Sequence, residues 1–202
     1  MKRIFAGMII LAGLSGGYGK SQCYSDLPME DLSEKEKKSL QWMREEEMLA
    51  HDVYAFLADQ YEIPVFRNIS KSEMRHTTAL AELLNRYGLE DPAMDHEPGI
   101  FSEPELQLLY DQLVIQGESS YEEAIKVGLK IEDLDIADLE KALAEEVDNQ
   151  DILFVYNNLL RGSINHLNAF WFHASRNSIP YDPQHISNDK FNELVRSENT
   201  EY

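Results

Sequence analysis

Between Glu34 and Arg176 the apolar side chains recur at three- and four-residue intervals, and no stretch carries a convincing strand pattern. That period is helical, so the chain has to fold as packed helices. Ser33 followed by Glu36 has the spacing of a capping box. It predicts a first helix, A, over about Glu34–Gln60, ended by Ile63-Pro64 because proline cannot continue the hydrogen-bond ladder. Helix B is predicted from near Ser70 to Tyr87-Gly88. Helix C is predicted from Ser102-Glu103-Pro104 to about Leu129 or Asp133, and helix D from about Asn149 to Arg176. Ile136–Glu146 reads as a short amphipathic helix, and a terminal helix is expected from Ser187. The A–B and C–D links suit hairpins. Between B and C lies LEDPAMDHEPGIFSEP, with three prolines and a glycine, a loop by composition. At ~3.3 Å per residue, its roughly 15 residues can travel the length of a ~20-residue helix. The expected fold class is all-α: a four-helix bundle with one long B–C crossover and short extra helices.

Several ionisable residues lie where leucine would be the safer choice. At 100° per residue, Glu46 and Glu47 fall in the apolar arc of helix A, and Glu45 falls outside it. Glu73 and His76 share a stripe with Ile69, Leu80, Leu83 and Leu84. Glu132 continues a stripe of Tyr110, Val114, Tyr121, Ile125 and Gly128. His166 shares a face with Val155, Leu159, Gly162, Ala169 and Phe170, and His173 lies on it too. Singly, each reads as a stripe edge or a hydrogen-bonded core residue. Together they form a set that is costly to bury without cations. Carboxylate with imidazole suits iron or manganese. In di-iron bundles, a Glu from each of two helices joins a Glu-x-x-His from each of the other two. Glu73-x-x-His76 is one such unit, its side chains one helical turn apart on one face.

The stretches MREEEMLAHDVY (43–54), ISKSEMRHTTAL (69–80), AIKVGLKIEDLDIADL (124–139), NLLRGSINHLNAF (158–170) and YDPQHIS (181–187) carry a resemblance to the ferritin-like superfamily. Within it, the chain most resembles an uncharacterised prokaryotic ferritin-like family known only as a domain of unknown function. The resemblance covers about Leu32 to Val195. It implies a metal set of Glu47, Glu73, His76, Glu132 and His166. Glu47 is favoured over Glu46 because Ala50 and Tyr54 stand at the superfamily's spacing from it. Glu47 and Glu132 would be terminal ligands, Glu73 would bridge, and His76 and His166 would supply nitrogen. One departure stands out: Ser163 occupies the place of the second Glu-x-x-His glutamate. Water, a side chain or a weak metal position answers for it, with His51, Glu118, Asp135 and His173 as candidates. The implied cofactor is iron, two ions per chain or one if the site is asymmetric, with manganese as the alternative. The implied chemistry is that of an oxidase, a ferroxidase or a peroxide reductase. Tyr54, Tyr110, Tyr121 and Trp171 read as core packing that could also stand near an iron–oxygen site.

Composition narrows the alternatives. Formal net charge is −19, which disfavours nucleic acid or an anionic membrane as partner. The single cysteine, Cys23, excludes an internal disulfide framework. Lys2-Arg3 followed by the apolar run Ile4–Leu14 and a small, polar Ser15–Gly19 reads as a secretory signal peptide over 1–19. A lipoprotein anchored at Cys23 is the alternative, and the only route to a membrane. The expected organisation continues with a flexible segment over 20–31, the helical domain over 32–196 and a disordered tail over 197–202. No phosphate loop, dinucleotide fingerprint or Cys-x-x-Cys is present. The main reading is a secreted di-metal protein whose partners are metal ions, with homo-oligomerisation open. The alternatives are a metal-free binding or envelope protein that keeps the fold with a degraded site, and an iron store.

Overall fold

The computed structural model describes residues 24–196. After a short 3-10 turn, the elements are α1 (Glu34–Tyr61), α2 (Pro64–Arg86), α3 (Pro104–Glu118), α4 (Tyr121–Glu145), α5 (Gln150–Arg176) and α6 (Asn188–Arg196), with no strand among the described residues. The fold is an all-α bundle. α1 packs on α2 and α4 on α5 as hairpins, and the two hairpins meet through α1–α4 and α2–α5. No described helix is long and apolar enough to cross a membrane. The signal-peptide reading, Cys23 and the residues beyond 196 lie outside the described residues.

Local chemistry explains most boundaries. Ser33 caps α1 by accepting the Glu36 amide, and Glu36 returns the bond to the Ser33 amide at 2.8 Å. The other Glu36 oxygen accepts the amides of Asp148 and Asn149, which ties the start of α1 to the α4–α5 turn. α1 stops at Tyr61, with Glu62 left-handed at φ 52°. Pro64 then opens α2 instead of merely ending α1, so α2 starts six residues before the expected Ser70. Proline suits a first helical turn, whose amides have no partner within the helix.

The expected helix C is two helices. The chain breaks at Ser119-Ser120, and the Ser120 hydroxyl accepts the Glu123 amide as a new N-cap. The presumed short helix Ile136–Glu146 is the end of α4, and Glu132 sits in a helix interior. The bundle is therefore α1, α2, α4 and α5, while α3 belongs to the crossover and packs on α1 and α4. α1 pins that crossover. Asp52 accepts His96 Nε2 at 2.7 Å and the Gly99 amide at 2.6 Å. Glu45 accepts the Ser102 and Glu103 amides at the start of α3. Glu45 is thus 2% exposed although it lies off the apolar arc of α1, because the crossover covers that side. Downstream of α5, the Asp133 carboxylate accepts Tyr181 Oη and the amides of Gln184, His185 and Ile186. These bonds fold the YDPQHIS segment onto α4.

The apolar core forms two clusters. One gathers Ala50, Tyr54, Phe66, Ile69, Leu129, Leu167 and Phe170. The other gathers Leu40, Met43, Leu80, Leu83, Leu139, Val155 and Leu159. On every bundle helix a polar stretch separates residues of the first cluster from residues of the second. It is Glu46-Glu47 on α1, Glu73–Thr77 on α2, Glu132–Asp135 on α4 and Ser163–His166 on α5. Apolar burial above and below offsets the cost of dehydrating this layer.

Candidate metal centre

All five expected ligands converge in that layer. Glu73 lies between the two imidazoles: its Oε2 is 2.8 Å from His76 Nδ1 and its Oε1 is 2.7 Å from His166 Nδ1. Glu47 Oε2 is 3.1 Å from His76 Nδ1, and Glu132 Oε2 is 3.6 Å from His166 Nδ1. The rings stack with centroids 5.5 Å apart. Glu73, His76 and His166 alone bring three donor atoms within 4.8 Å of one another. Glu47, Glu73 and Glu132 are each at most 2% exposed, and His166 is 8% exposed.

Helix spacing and one glycine set this geometry. Glu73 and His76 are a turn apart on α2. A Cβ at Gly162 of α5 would lie 2.5 Å from His76 Cε1 and Nε2. The ring edge therefore rests against bare α5 backbone and turns Nδ1 toward the carboxylates. The glutamate-to-tyrosine spacing on α1 has a structural counterpart: Tyr54 Oη donates to Glu132 Oε1 at 2.5 Å, an α1-to-α4 link that orients the carboxylate. Tyr54 therefore serves the centre as well as the core. Tyr121 instead contacts His173, and Trp171 packs edge-on against Phe191.

Burial and neighbouring charges act in opposite directions on the groups of this layer. Burial disfavours both imidazolium ions, yet Glu47 and Glu73 raise His76 to about 11. Glu132 and Glu73 likewise raise His166 to about 10. Burial pushes Glu47 up to about 7 against the pull of His76. Burial acts in the same direction on Glu73, but the His166 and His76 rings beside it outweigh burial and hold the carboxyl down near 2. Glu132, Glu46 and Asp135 are raised, chiefly by burial.

The directions of the groups fit a metal better than they fit each other. His166 Nδ1 and Glu73 Oε1 are close, but their orientation makes no hydrogen bond, and Glu47 Oε1 is buried with no partner. Donors that approach closely without aiming at one another are free to share a common ion. A cavity of about 10 Å³ adjoins them, lined by Glu46, Glu47, Glu73, Glu132 and Asp135 together with Lys130 and apolar side chains of α1, α3 and α4, the size that takes about one water or ion. Two imidazoles and three carboxylates are a donor set for iron, manganese or zinc.

Among the candidates for the place of the absent glutamate, only Asp135 lies in the layer. His51 Nδ1 faces the Ser70 carbonyl at 2.8 Å, Glu118 is exposed at the end of α3, and His173 meets Tyr121. Ser163 Oγ donates to Asp135 Oδ2. Glu46, with Oε2 accepting the Trp42 indole N–H at 2.9 Å, lines the cavity as well. The signal for Asp135 in the sequence was its three-residue spacing from Glu132.

Comparison with known proteins places this architecture among relatives. The profile of the uncharacterized protein domain DUF2202 matches residues 36–198. The uncharacterized protein MJ0754 of Methanocaldococcus jannaschii is 45% identical over 173 residues, covering 86% of this chain and 93% of that protein. The crystal structure of that hypothetical protein superposes with a TM-score of 0.82 over 84% of this chain and 97% of the other.

Proposed function

The chain belongs to the DUF2202 family, and on that premise we propose that it is an exported, ferritin-like metalloprotein with a two-ion iron or manganese centre in the polar layer. The supporting observation is the bridging position of Glu73, each oxygen within 2.8 Å of a different ring nitrogen. Glu47 with His76, and Glu132 with His166, complete two half-sites around it. When bound, iron or manganese supplies redox chemistry toward oxygen or peroxide. The chain's own residues bind and orient. Tyr54 holds Glu132, Gly162 seats His76, and the two apolar clusters keep bulk water from the layer. Export rests on the Lys2-Arg3 and Ile4–Leu14 pattern.

The test is anaerobic reconstitution with iron(II) or manganese(II), read by elemental analysis. Two ions per chain, lost in Glu73→Ala, are expected. A wild-type chain that retains neither metal refutes the reading and leaves the metal-free fold. Native mass then separates a small oligomer from a storage shell.

A further inference from the structure

The two half-sites are not equivalent. Glu132 is steadied by the Tyr54 hydroxyl. Glu47 meets only His76 Nδ1, on Oε2, and its Oε1 is buried without a partner on the cavity wall. Across that cavity stands Asp135, 7% exposed, on α4 one turn beyond Glu132. Its Oδ2 accepts the Ser163 hydroxyl, while its Oδ1 is likewise buried and unpartnered. Among its charged neighbours Glu47 acts on it most strongly, ahead of Glu46 and Glu132. Glu46 Oε1 and Glu73 Oε1 are bare on the same cavity, and carboxylate oxygens gathered in this way repel one another unless something positive lies among them. Charge balance agrees. Two divalent ions against three carboxylates and two neutral imidazoles leave one buried positive charge, and a fourth carboxylate cancels it.

Ser163 stands one turn before His166, where a Glu-x-x-His unit on α5 would carry its glutamate. Its side chain is too short to reach an ion, but it is fully buried and bonded to the carboxylate that α4 presents at that place.

We propose that Asp135 is a further metal ligand, on the Glu47–His76 side of the centre, and that Ser163 is its positioning residue. The proposal rests on the metal-centre reading above, and the experiment separates the two. Full-chain wild type, Asp135→Asn, Ser163→Ala and Glu73→Ala are titrated with manganese(II) by calorimetry, and the bound ions are followed by electron paramagnetic resonance. Wild type takes two ions as a coupled pair. Asp135→Asn keeps one, its resonance collapsing to an isolated manganese signal, with the second bound more than about 100-fold more weakly. Ser163→Ala keeps both, the second about tenfold weaker, as loss of an orienting hydrogen bond predicts. Thermal unfolding in chelator supplies a readout with the opposite sign for a merely structural role. Asp135→Asn removes a carboxyl that burial and the neighbouring Glu47, Glu46 and Glu132 disfavour as an ion, so its melting temperature equals or exceeds that of wild type; a structural Asp135 requires a fall. Two ions bound by Asp135→Asn at wild-type affinity overturn the assignment and leave the centre intact. So does a wild type that binds one ion with no response to Asp135→Asn. An unaltered Ser163→Ala overturns the positioning role. A wild type that binds no ion overturns both this proposal and the metal reading.

Discussion

In chelator, the protein should lose stability as the pH rises from 5 to 7, against the usual behaviour of globular domains. Folded Glu47 keeps its proton to about pH 7, whereas an unfolded glutamate releases it near its ordinary value of 4.5. Between those values the folded state holds a proton that the unfolded state lacks, so the unfolding free energy falls as pH rises. Across pH 5 to 7 that difference spans about 2 pH units, at about 1.4 kcal/mol each, and amounts to about 3 kcal/mol. His76 and His166, raised to about 11 and about 10, steepen the same slope: their contribution is complete below pH 6.5 and is lost as pH climbs through the folded values. Glu73, held near 2, acts oppositely and is lost only as pH falls below about 4.5. The metal-free optimum therefore lies near pH 4.5–5. For a domain of this size, about 3 kcal/mol corresponds to roughly 6–12 °C in Tm. The assay is thermal unfolding by circular dichroism from pH 5 to 7, with chelator and with saturating manganese(II). The chelated Tm should fall by that amount. The loaded Tm should exceed it increasingly as pH rises, because ions displace protons from the ligands. Glu47→Gln should flatten the chelated slope. A chelated Tm that is level or rises from pH 5 to 7 refutes the reasoning.

Other perturbations separate the centre from its scaffold. Gly162→Ala pushes a methyl into the His76 ring, and should weaken manganese(II) binding by about 10–100-fold, measured by calorimetry. Gly128→Ala drives a Cβ to 2.5 Å from Phe170; it should cost about 1–3 kcal/mol in denaturant unfolding and leave the ion count unchanged. Tyr54→Phe strips the donor from a buried Glu132 oxygen, a loss of about 1–3 kcal/mol in the chelated protein. Asp133→Asn replaces a carboxylate that accepts three backbone amides and a phenol. Limited proteolysis within 177–187 should then speed up while metal stoichiometry holds.

The parts of this structure that were legible in the sequence are those governed by neighbours along the chain. The capping box at Ser33 and the Glu73-x-x-His76 unit both follow from one-turn spacings, and the structure keeps each of them together. The break at Ser119-Ser120 was hidden because Tyr110, Val114, Tyr121 and Ile125 continue one apolar stripe across it; the cap, not the stripe, ends the helix. Pro64 was read only as a terminator, although the same missing amide suits it to open α2. The buried carboxylates Glu45, Asp52 and Asp133 were illegible for another reason. Their partners are backbone amides or side chains more than 40 residues away, and no local pattern marks an acceptor for a distant loop. Asp135 falls between these cases, since its spacing from Glu132 was visible but its tie to Ser163 needed the fold.

The run Glu45-Glu46-Glu47 turns this into a constraint on register. Successive residues point about 100° apart, so the three carboxylates serve the start of α3, the Trp42 indole and the metal layer respectively. Glu46 keeps its bond to Trp42, on the same helix, in any register, but a one-residue slip in one direction would put Glu46 in the place of Glu47 and bring Arg44 against the amides of Ser102 and Glu103, a cation at a helix N-terminus. A slip in the other direction would put the Met48 thioether where Glu47 meets His76. Helix α1 is therefore indexed like a key: chemically repetitive teeth, bounded on either side by residues that fit only one setting of the lock.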